Sequence, residues 1–254
     1  MPEFLTRDKP FRQLLETARR AAHTQAGIFI TGESGTGKNR LAGFIHRNSP
    51  RHDGPWIQVP CANLPEELLE SELFGHEPGA FTGAGESRAG KFERAHGGSL
   101  DLDEVQELTL EVQAKVLRAI QEKQFEKLGG SETLSVDVRI IASSQEDPER
   151  MVEEGRLRSD LFYRMNVVRL HVPPLRERAA DIPALAEECL ARTTELHNLA
   201  CVKTLAPETL ERLMEHPWPG NVRELFHAVE SAAILSSGET IHPSDLPRSL
   251  SVSG

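Results

Sequence analysis

The chain has 254 residues, with 29 Lys+Arg against 39 Asp+Glu and a formal net charge of −10. That length buries a sizeable core without staples and suits one large domain or two smaller ones, while the acidic balance argues against a broad electrostatic grip on nucleic acid. Cys61, Cys189 and Cys201 form no CxxC pair and are odd in number, which argues against a zinc ribbon or a disulfide framework and fits reduced thiols in the cytoplasm.

The start, MPEFLTRDKPFRQ, carries no signal-peptide core, and no later run approaches the roughly 18 apolar residues of a membrane span. The first predicted strand is GIFITG (27–32), followed by ESGTGKN and the helical pattern NRLAGFIHR. Gly32, Gly35, Gly37 and Lys38 have the spacing of a phosphate loop, GxxxxGK, in the order strand, loop, helix. Backbone N–H groups of such a loop cradle phosphates, and the lysine neutralises the outer ones. Asn39 stands where many such loops use Ser or Thr to hold Mg²⁺.

After the second predicted strand, PWIQVPC (55–61), comes ELFGHEPGAFTGAGESRAGKF (72–92). Gly79, Gly83 and Gly85 make a strongly bent segment. Phe81, with Thr82 beside it, is then either a contact device on a mobile tip or a turn residue folded back onto the core. The third strand, GSLDLDE (98–104), ends in Asp103, placed to hold Mg²⁺, and Glu104, placed to polarise the attacking water as general base. Asp101 lies within that strand, where an unpartnered buried carboxylate costs several kcal/mol, order of magnitude, so it requires a partner.

LTLEVQAKVLRAIQEKQF repeats Leu110, Ala114, Leu117 and Ile120 at helical spacing and runs into a Gly129–Gly130 turn that tips a second loop or hairpin. The fourth and fifth strands are VRIIASS (138–144) and VVRLHVP (167–173). Short strands alternating with helices predict a parallel α/β sheet. Between these two strands, Arg158 and Arg164 are six residues apart, about 600° on a helical wheel, and so point in different directions. They are either surface arginines or groups delivered to a neighbouring subunit's phosphoryl-transfer site.

Beyond PPLRER (173–178) only helices are predicted, with a boundary near residue 175. DIPALAEECLARTTEL presents Ile182, Leu185, Ala186, Cys189 and Leu190 on one face, and Pro207 opens PETLERLMEH. NVRELFHAVESAAILSSG has Asn221 and Glu224 at capping-box spacing and Gly238 as its stop. Arg223, in its first turn, is placed to reach a nucleotide or to be a solvated helix residue.

Together, GESGTGK, ESELFGHEPGAFTGA, GGSLDLDE, LRSDLFYRMNVV, PPLRER and WPGNVREL resemble the central AAA+ domain of bacterial enhancer-binding proteins, the ATPases that activate sigma-54 RNA polymerase. The likeness spans nearly the whole chain, and GAFTGA is its most specific element. It implies an α/β AAA+ P-loop domain over residues 1–175, with a parallel five-stranded sheet between helices and an inserted GAFTGA loop, and a small α-helical lid over 176–254. It further implies ATP and Mg²⁺, a ring of subunits, a hexamer, and the sigma-54 RNA polymerase holoenzyme as partner, with no DNA binding expected from this segment.

By the same resemblance, Gly32, Glu33, Ser34, Gly35, Thr36, Gly37, Lys38 and Asn39 form Walker A, and Asp103 and Glu104 form Walker B. Ser144 and Gln145 sit at sensor I, Arg158 and Arg164 are arginine-finger candidates, and Arg223 matches sensor II. Gly79, Ala80, Phe81, Thr82, Gly83 and Ala84 form the sigma-54-contacting loop, with Phe81 and Thr82 at its tip.

Several positions depart from the family pattern. The family usually has an acid where this chain has Asn39, an apolar residue at Asp101, and Thr-Asn where sensor I reads Ser-Gln. Pro60 occupies the place of an asparagine thought to restrain the catalytic glutamate, and Asn63 is a candidate substitute. These departures support a second expectation, a nucleotide-binding regulatory module that hydrolyses weakly and assembles with a related subunit. Receiver, sensory and DNA-recognition patterns, which commonly flank this domain, are expected outside this stretch or on a partner.

Overall fold

The structure, a computed structural model, describes residues 4–62, 64–81 and 84–251. By its internal contacts the chain divides into two compact units. One is Leu15–Gly32 with Lys38–His171; the other is Met1–Leu14 with Glu33–Gly37 and Val172–Gly254.

In chain order the first elements are α1 (Lys9–Ala22), β1 (Ile28–Thr31), α2 (Lys38–Arg47), β2 (Trp56–Pro60), α3 (Glu66–Phe74), the short strands β3 (Gly75–His76) and β4 (Arg88–Ala89), and α4 (Lys91–Arg94). There follow β5 (Ser99–Asp103), α5 (Leu110–Glu122), β6 (Gln124–Glu126), β7 (Thr133–Ser135), β8 (Arg139–Ser144), α6 (Pro148–Glu153), α7 (Ser159–Met165) and β9 (Val168–His171). All five expected strands form one sheet in the order β2-β5-β8-β1-β9, and every neighbouring pair is parallel.

Helix-covered parallel sheets bury both faces, and β1 and β8 are buried at every residue. Along β5 the side chains alternate. Leu100 and Leu102 enter the main core with Val112, Val116, Leu161 and Phe162. Ser99, Asp101 and Asp103 take the other face, where the Ser99 hydroxyl pairs with His46 Nδ1 of α2 at 3.0 Å. The buried Arg139 donates to the carbonyls of Ala22 and Ala21 at 2.6 and 2.7 Å, closing the C-terminal end of α1.

The face of α5 differs from its reading in the sequence. Leu110 is 50% exposed, and the buried stripe is Val112, Gln113, Val116, Leu117 and Ala119. Gln113 explains the shift, because a polar residue takes a core position by satisfying its whole amide. Its Nε2 donates to the Leu108 and Arg156 carbonyls, both at 2.8 Å, and its Oε1 accepts from Arg158 N at 2.9 Å. The Gly-Gly turn does tip a hairpin, β6–β7, with Gly129 left-handed at φ 71°.

The second unit contains α8 (Ile182–Leu196), β10 (Thr204–Leu205), α9 (Pro207–Glu215), α10 (Asn221–Leu235), β11 (Thr240–Ile241) and α11 (Arg248–Ser251). Ile182, Leu185, Ala186, Cys189 and Leu190 are buried as the α8 periodicity required, and Pro207 opens α9. They pack with Leu213, Leu225, Val229 and the fully buried Trp218, whose indole N–H reaches the Leu213 carbonyl at 2.7 Å. The all-helical expectation needs one correction: β10 and β11 form a two-residue parallel pair, too short to show alternation in the sequence.

The ends of α10 also differ. Glu224 Oε2 accepts from Gly220 N at 2.8 Å, but Asn221 supplies no cap bond; it is left-handed at φ 54° and uses its side chain elsewhere. The helix ends where Ser236 becomes extended, before Gly238.

Candidate nucleotide site and contact loop

In the α/β unit, α2 begins at Lys38, which is 4% exposed. Its ammonium donates to the Gly32 carbonyl at 3.0 Å and to Glu104 Oε1 at 3.2 Å. Asp103 accepts from Asn39 Nδ2 at 2.8 Å on one oxygen and from the Ser143 hydroxyl at 2.6 Å on the other. Glu104 follows the strand in a left-handed conformation, φ 60°, uncommon for a residue with a Cβ and a mark of a position held by its surroundings. Its second oxygen accepts from Gln106 Nε2 at 2.5 Å and from the Gln145 N–H at 3.3 Å. An ammonium, an amide side chain and a backbone amide therefore hold one carboxylate, while neutral hydrogen bonds hold the other.

The pair expected at sensor I divides unevenly. Gln145 reaches Glu104 through its backbone, but the Ser144 hydroxyl points away, to the Glu146 carbonyl at 3.0 Å and towards the Met151 sulfur. Successive strand residues face opposite sides, so the hydroxyl on Asp103 is that of Ser143. Sequence reasoning missed Ser143 and Gln106. The alternation of β8 from Asp103 could have found the first, whereas the second lies in an irregular turn.

Pro60 ends the edge strand β2 opposite Asp103 and is exposed, a place where a missing N–H costs the ladder little. Asn63 lies outside the described residues. The partner that Asp101 required is Gln58, its register neighbour on β2, which donates to Oδ2 at 3.2 Å. Oδ1 remains buried without a partner, and burial pushes the carboxyl up from its usual 3.8 to about 8.

In the helical unit lies the middle of the phosphate loop, Glu33–Gly37. Arg223 donates to the Ser34 hydroxyl at 3.1 Å. Arg176 forks onto Glu33 at 2.9 and 2.6 Å. Gly35 is left-handed, φ +77°, and a Cβ there would lie 2.3 Å from the Gly220 carbonyl oxygen, so glycine is required on both counts.

Of the two arginine candidates, Arg158 precedes α7 as its N-cap in an extended conformation, so the helical-wheel angle to Arg164 does not apply. Arg158 is exposed and forks onto Asp160 at 3.1 and 2.8 Å. Arg164 is exposed and lines a shallow cleft with Gln25, Arg51, Arg139, Tyr163 and Val167.

The contact-loop segment leaves β3 and is closed by Gly79 N to the Ala84 carbonyl at 2.8 Å and Ala84 N to the Phe81 carbonyl at 3.0 Å. Gly79 is exposed, Ala80 half-buried against Gly129, and Ala84 buried. Phe81 is half-buried, edge-on to His76 at 5.0 Å, and His76 Nδ1 pairs with the Ser71 hydroxyl at 2.7 Å. The ring is thus neither fully exposed nor in the core. Thr82 and Gly83 lie outside the described residues. Glu77 N to the Leu128 carbonyl (2.9 Å) and Leu128 N to the Gly75 carbonyl (3.0 Å) join the base of this loop to the β6–β7 hairpin.

Comparison with known proteins agrees with this architecture. Residues 4–171 match the sigma-54 interaction domain and residues 176–254 the AAA+ ATPase lid domain. The regulatory protein AtoC of Escherichia coli is 48% identical over 243 residues, 96% of this chain and 52% of AtoC. The Nif-specific regulatory protein of Azotobacter vinelandii is 49% identical over 230 residues, 91% of this chain and 44% of that protein. The chain thus spans about half the length of the curated relatives it matches. Crystal structures of NtrX from Brucella abortus with ADP and with ATP each superpose with a TM-score of 0.89 at 38% identity, covering 97% of this chain and 55% of NtrX. Sheet order, lid and family match together place the chain in the sigma-54 interaction domain family of AAA+ proteins.

Proposed function

We propose that this chain is an ATP-hydrolysing activator of sigma-54 RNA polymerase, with a core over 1–175 and a lid over 176–254. The observation that carries the reading is the meeting of Lys38 with Glu104, beside Asp103, where β1 and β5 end. Gly32 to Asn39 bind the triphosphate through loop amides and the Lys38 ammonium. Mg²⁺, when bound, supplies positive charge to the phosphate oxygens. Asp103 suits it: a hard oxygen donor already oriented by Ser143 and Asn39. One carboxylate suffices for such an ion, which would take its remaining ligands from substrate phosphates and water.

Glu104 takes the proton of the attacking water as its oxygen bonds to the γ-phosphorus and the bond to the ADP oxygen breaks. Ser144 and Gln145 belong to the sensor I segment and Arg223 reads the nucleotide from the lid. Arg158 and Arg164 act in trans, which demands a ring, on this reading a hexamer. Residues 79–84 carry the change to the sigma-54 holoenzyme in the bacterial cytoplasm. No described helix is long and apolar enough to cross a membrane.

A second reading, a nucleotide-binding module with weak hydrolysis that assembles with a related subunit, draws support from Glu104 being held by three donors and from Pro60 lacking an amide side chain. Steady-state ATPase measured across protein concentration separates them. The first reading expects specific activity to rise with assembly, Lys38→Ala to lose ATP binding, and Glu104→Gln to bind ATP without turnover. Binding of ATP by Lys38→Ala at wild-type affinity would refute the phosphate-loop assignment.

A further inference from the structure

The phosphate loop is bonded along its length to residues of the lid. The carbonyl of Ser34 accepts from Asn221 Nδ2 at 3.0 Å, that of Gly35 from Val222 N at 3.0 Å, and that of Thr36 from an Arg178 guanidinium nitrogen at 2.7 Å. In a trans peptide the N–H lies anti to the carbonyl, so three consecutive carbonyls drawn to lid donors turn the N–H groups of residues 35 to 37 the opposite way. Of these, Thr36 N makes only a long bond, 3.4 Å, to the Glu33 carbonyl.

Asn221 is wholly buried, and its Oδ1 also accepts from Leu175 N at 2.8 Å, so one side chain fixes both the loop and the residue before Arg176. Glu33 closes the arrangement. Its carboxylate takes both arms of the Arg176 fork and Asn221 Nδ2 at 3.1 Å. A carboxylate in a loop that binds a triphosphate is unfavourable on charge alone, and the guanidinium offsets it.

We infer that Glu33 and Arg176 are a positioning pair through which the lid sets the orientation of the phosphate-binding amides. The inference rests on the ATP-site reading above and adds to it the part of the lid that shapes the loop. A purely electrostatic role for Glu33 makes the opposite prediction, because removing its charge would then tighten ATP binding.

The test compares Glu33→Ala, Arg176→Ala and the double variant, by titration with a fluorescent ATP analogue and by amide hydrogen exchange of residues 33–37 in the nucleotide-free protein. Both side chains are more than two-fifths exposed, 42% and 45%, so the fold tolerates the changes, and Arg176→Lys serves as the conservative variant. Each single variant is expected to weaken ATP binding about tenfold, and the double no more than either single, since residues acting as one unit are non-additive. Exchange at 33–37 should quicken in both singles, with Arg176→Lys between Arg176→Ala and wild type. Tighter or unchanged binding in Glu33→Ala, additive losses, or unaltered exchange would overturn the inference. With wild type binding and Lys38→Ala not binding, such a result sinks the positioning pair alone; a wild-type protein that binds no ATP sinks both readings.

Discussion

Asp101 gives a prediction whose sign and size follow from its surroundings. The side chain is fully buried on β5, with Gln58 on one oxygen and nothing on the other, and its carboxyl titrates at about 8 instead of 3.8. Desolvation is the first cause, opposed by the Gln58 hydrogen bond and reinforced by the Asp103 charge. Because the folded pKa is raised, the folded protein keeps a proton that the unfolded chain releases above about pH 4. Stability from this group is therefore full at low pH and is lost as pH rises from about 4 through 8. At about 1.4 kcal/mol per unit, the ceiling is on the order of 5 to 6 kcal/mol across the window, and about 4 of that is gone by pH 7. Asn at this position keeps the shape and never ionises. The stability of Asp101→Asn relative to wild type should therefore climb steadily between pH 5 and about 8 and then level. Urea unfolding of both proteins at pH 5, 6, 7 and 8, free of nucleotide and Mg²⁺, measures this directly, and taking the difference removes the other titrating groups. A constant difference at every pH would mean that Asp101 is ionised in the folded protein and that the burial argument fails.

Four further outcomes follow from the site and the loop. Gln106→Ala leaves the second oxygen of Glu104 with the Gln145 N–H as its remaining donor and should raise basal turnover several-fold with unchanged ATP affinity, and Pro60→Asn should alter the hydrolysis rate; a rate for Pro60→Asn identical to wild type, with and without sigma-54, makes residue 60 neutral. Arg158→Ala and Arg164→Ala should each lower turnover by about 10² or more if they act as trans fingers. Mixing either with Glu104→Gln should restore part of the activity, and no rescue in rings that exchange subunits argues against catalysis in trans. Phe81→Ala should cost about 0.5 to 1.5 kcal/mol for its edge contact with His76, well below the roughly 3 to 5 of a core phenylalanine, as read by thermal unfolding. It and Thr82→Ala should keep ATPase activity but lose capture of sigma-54 with ADP and aluminium fluoride; equal capture by wild type without nucleotide would refute the coupling.

Legibility in the sequence followed how local each signal is. The five sheet strands were readable because each is a short apolar run between turn residues, and the phosphate loop because its glycines and lysine lie within eight positions of one another. The α8 face was readable because Ile182, Leu185, Ala186, Cys189 and Leu190 repeat over its first turns, and the buried Thr193 joins that face only near its end. The α5 face was not, since Gln113 takes a core place using carbonyls at Leu108 and Arg156, the second far away in the chain. Asn221 looked like a capping residue for the same reason: its amide is engaged by Glu33, Ser34 and Leu175, partners that no local window contains. Ser143 and Ser144 differ only in which face of β8 each occupies, and that becomes visible once Asp103 is placed beside them.

The departures from the family pattern are connected through β5. Asp101, Asp103 and Glu104 each accept from one carboxamide: Gln58, Asn39 and Gln106. A carboxamide orients a carboxylate without neutralising it, whereas an acid at position 39 would set a second negative charge where Asn39 now donates to Asp103 at 2.8 Å. Asn39 therefore adds no charge beside Asp103, which suits the cation site proposed there. The exposed Pro60 has no side-chain amide to offer, and the amide on Glu104 instead comes from Gln106, two residues along the chain. A restraint supplied from within its own turn moves with the glutamate. On the proposed reading the strand end then need not hold Glu104, because Gln106 in the turn at 104–107 already does.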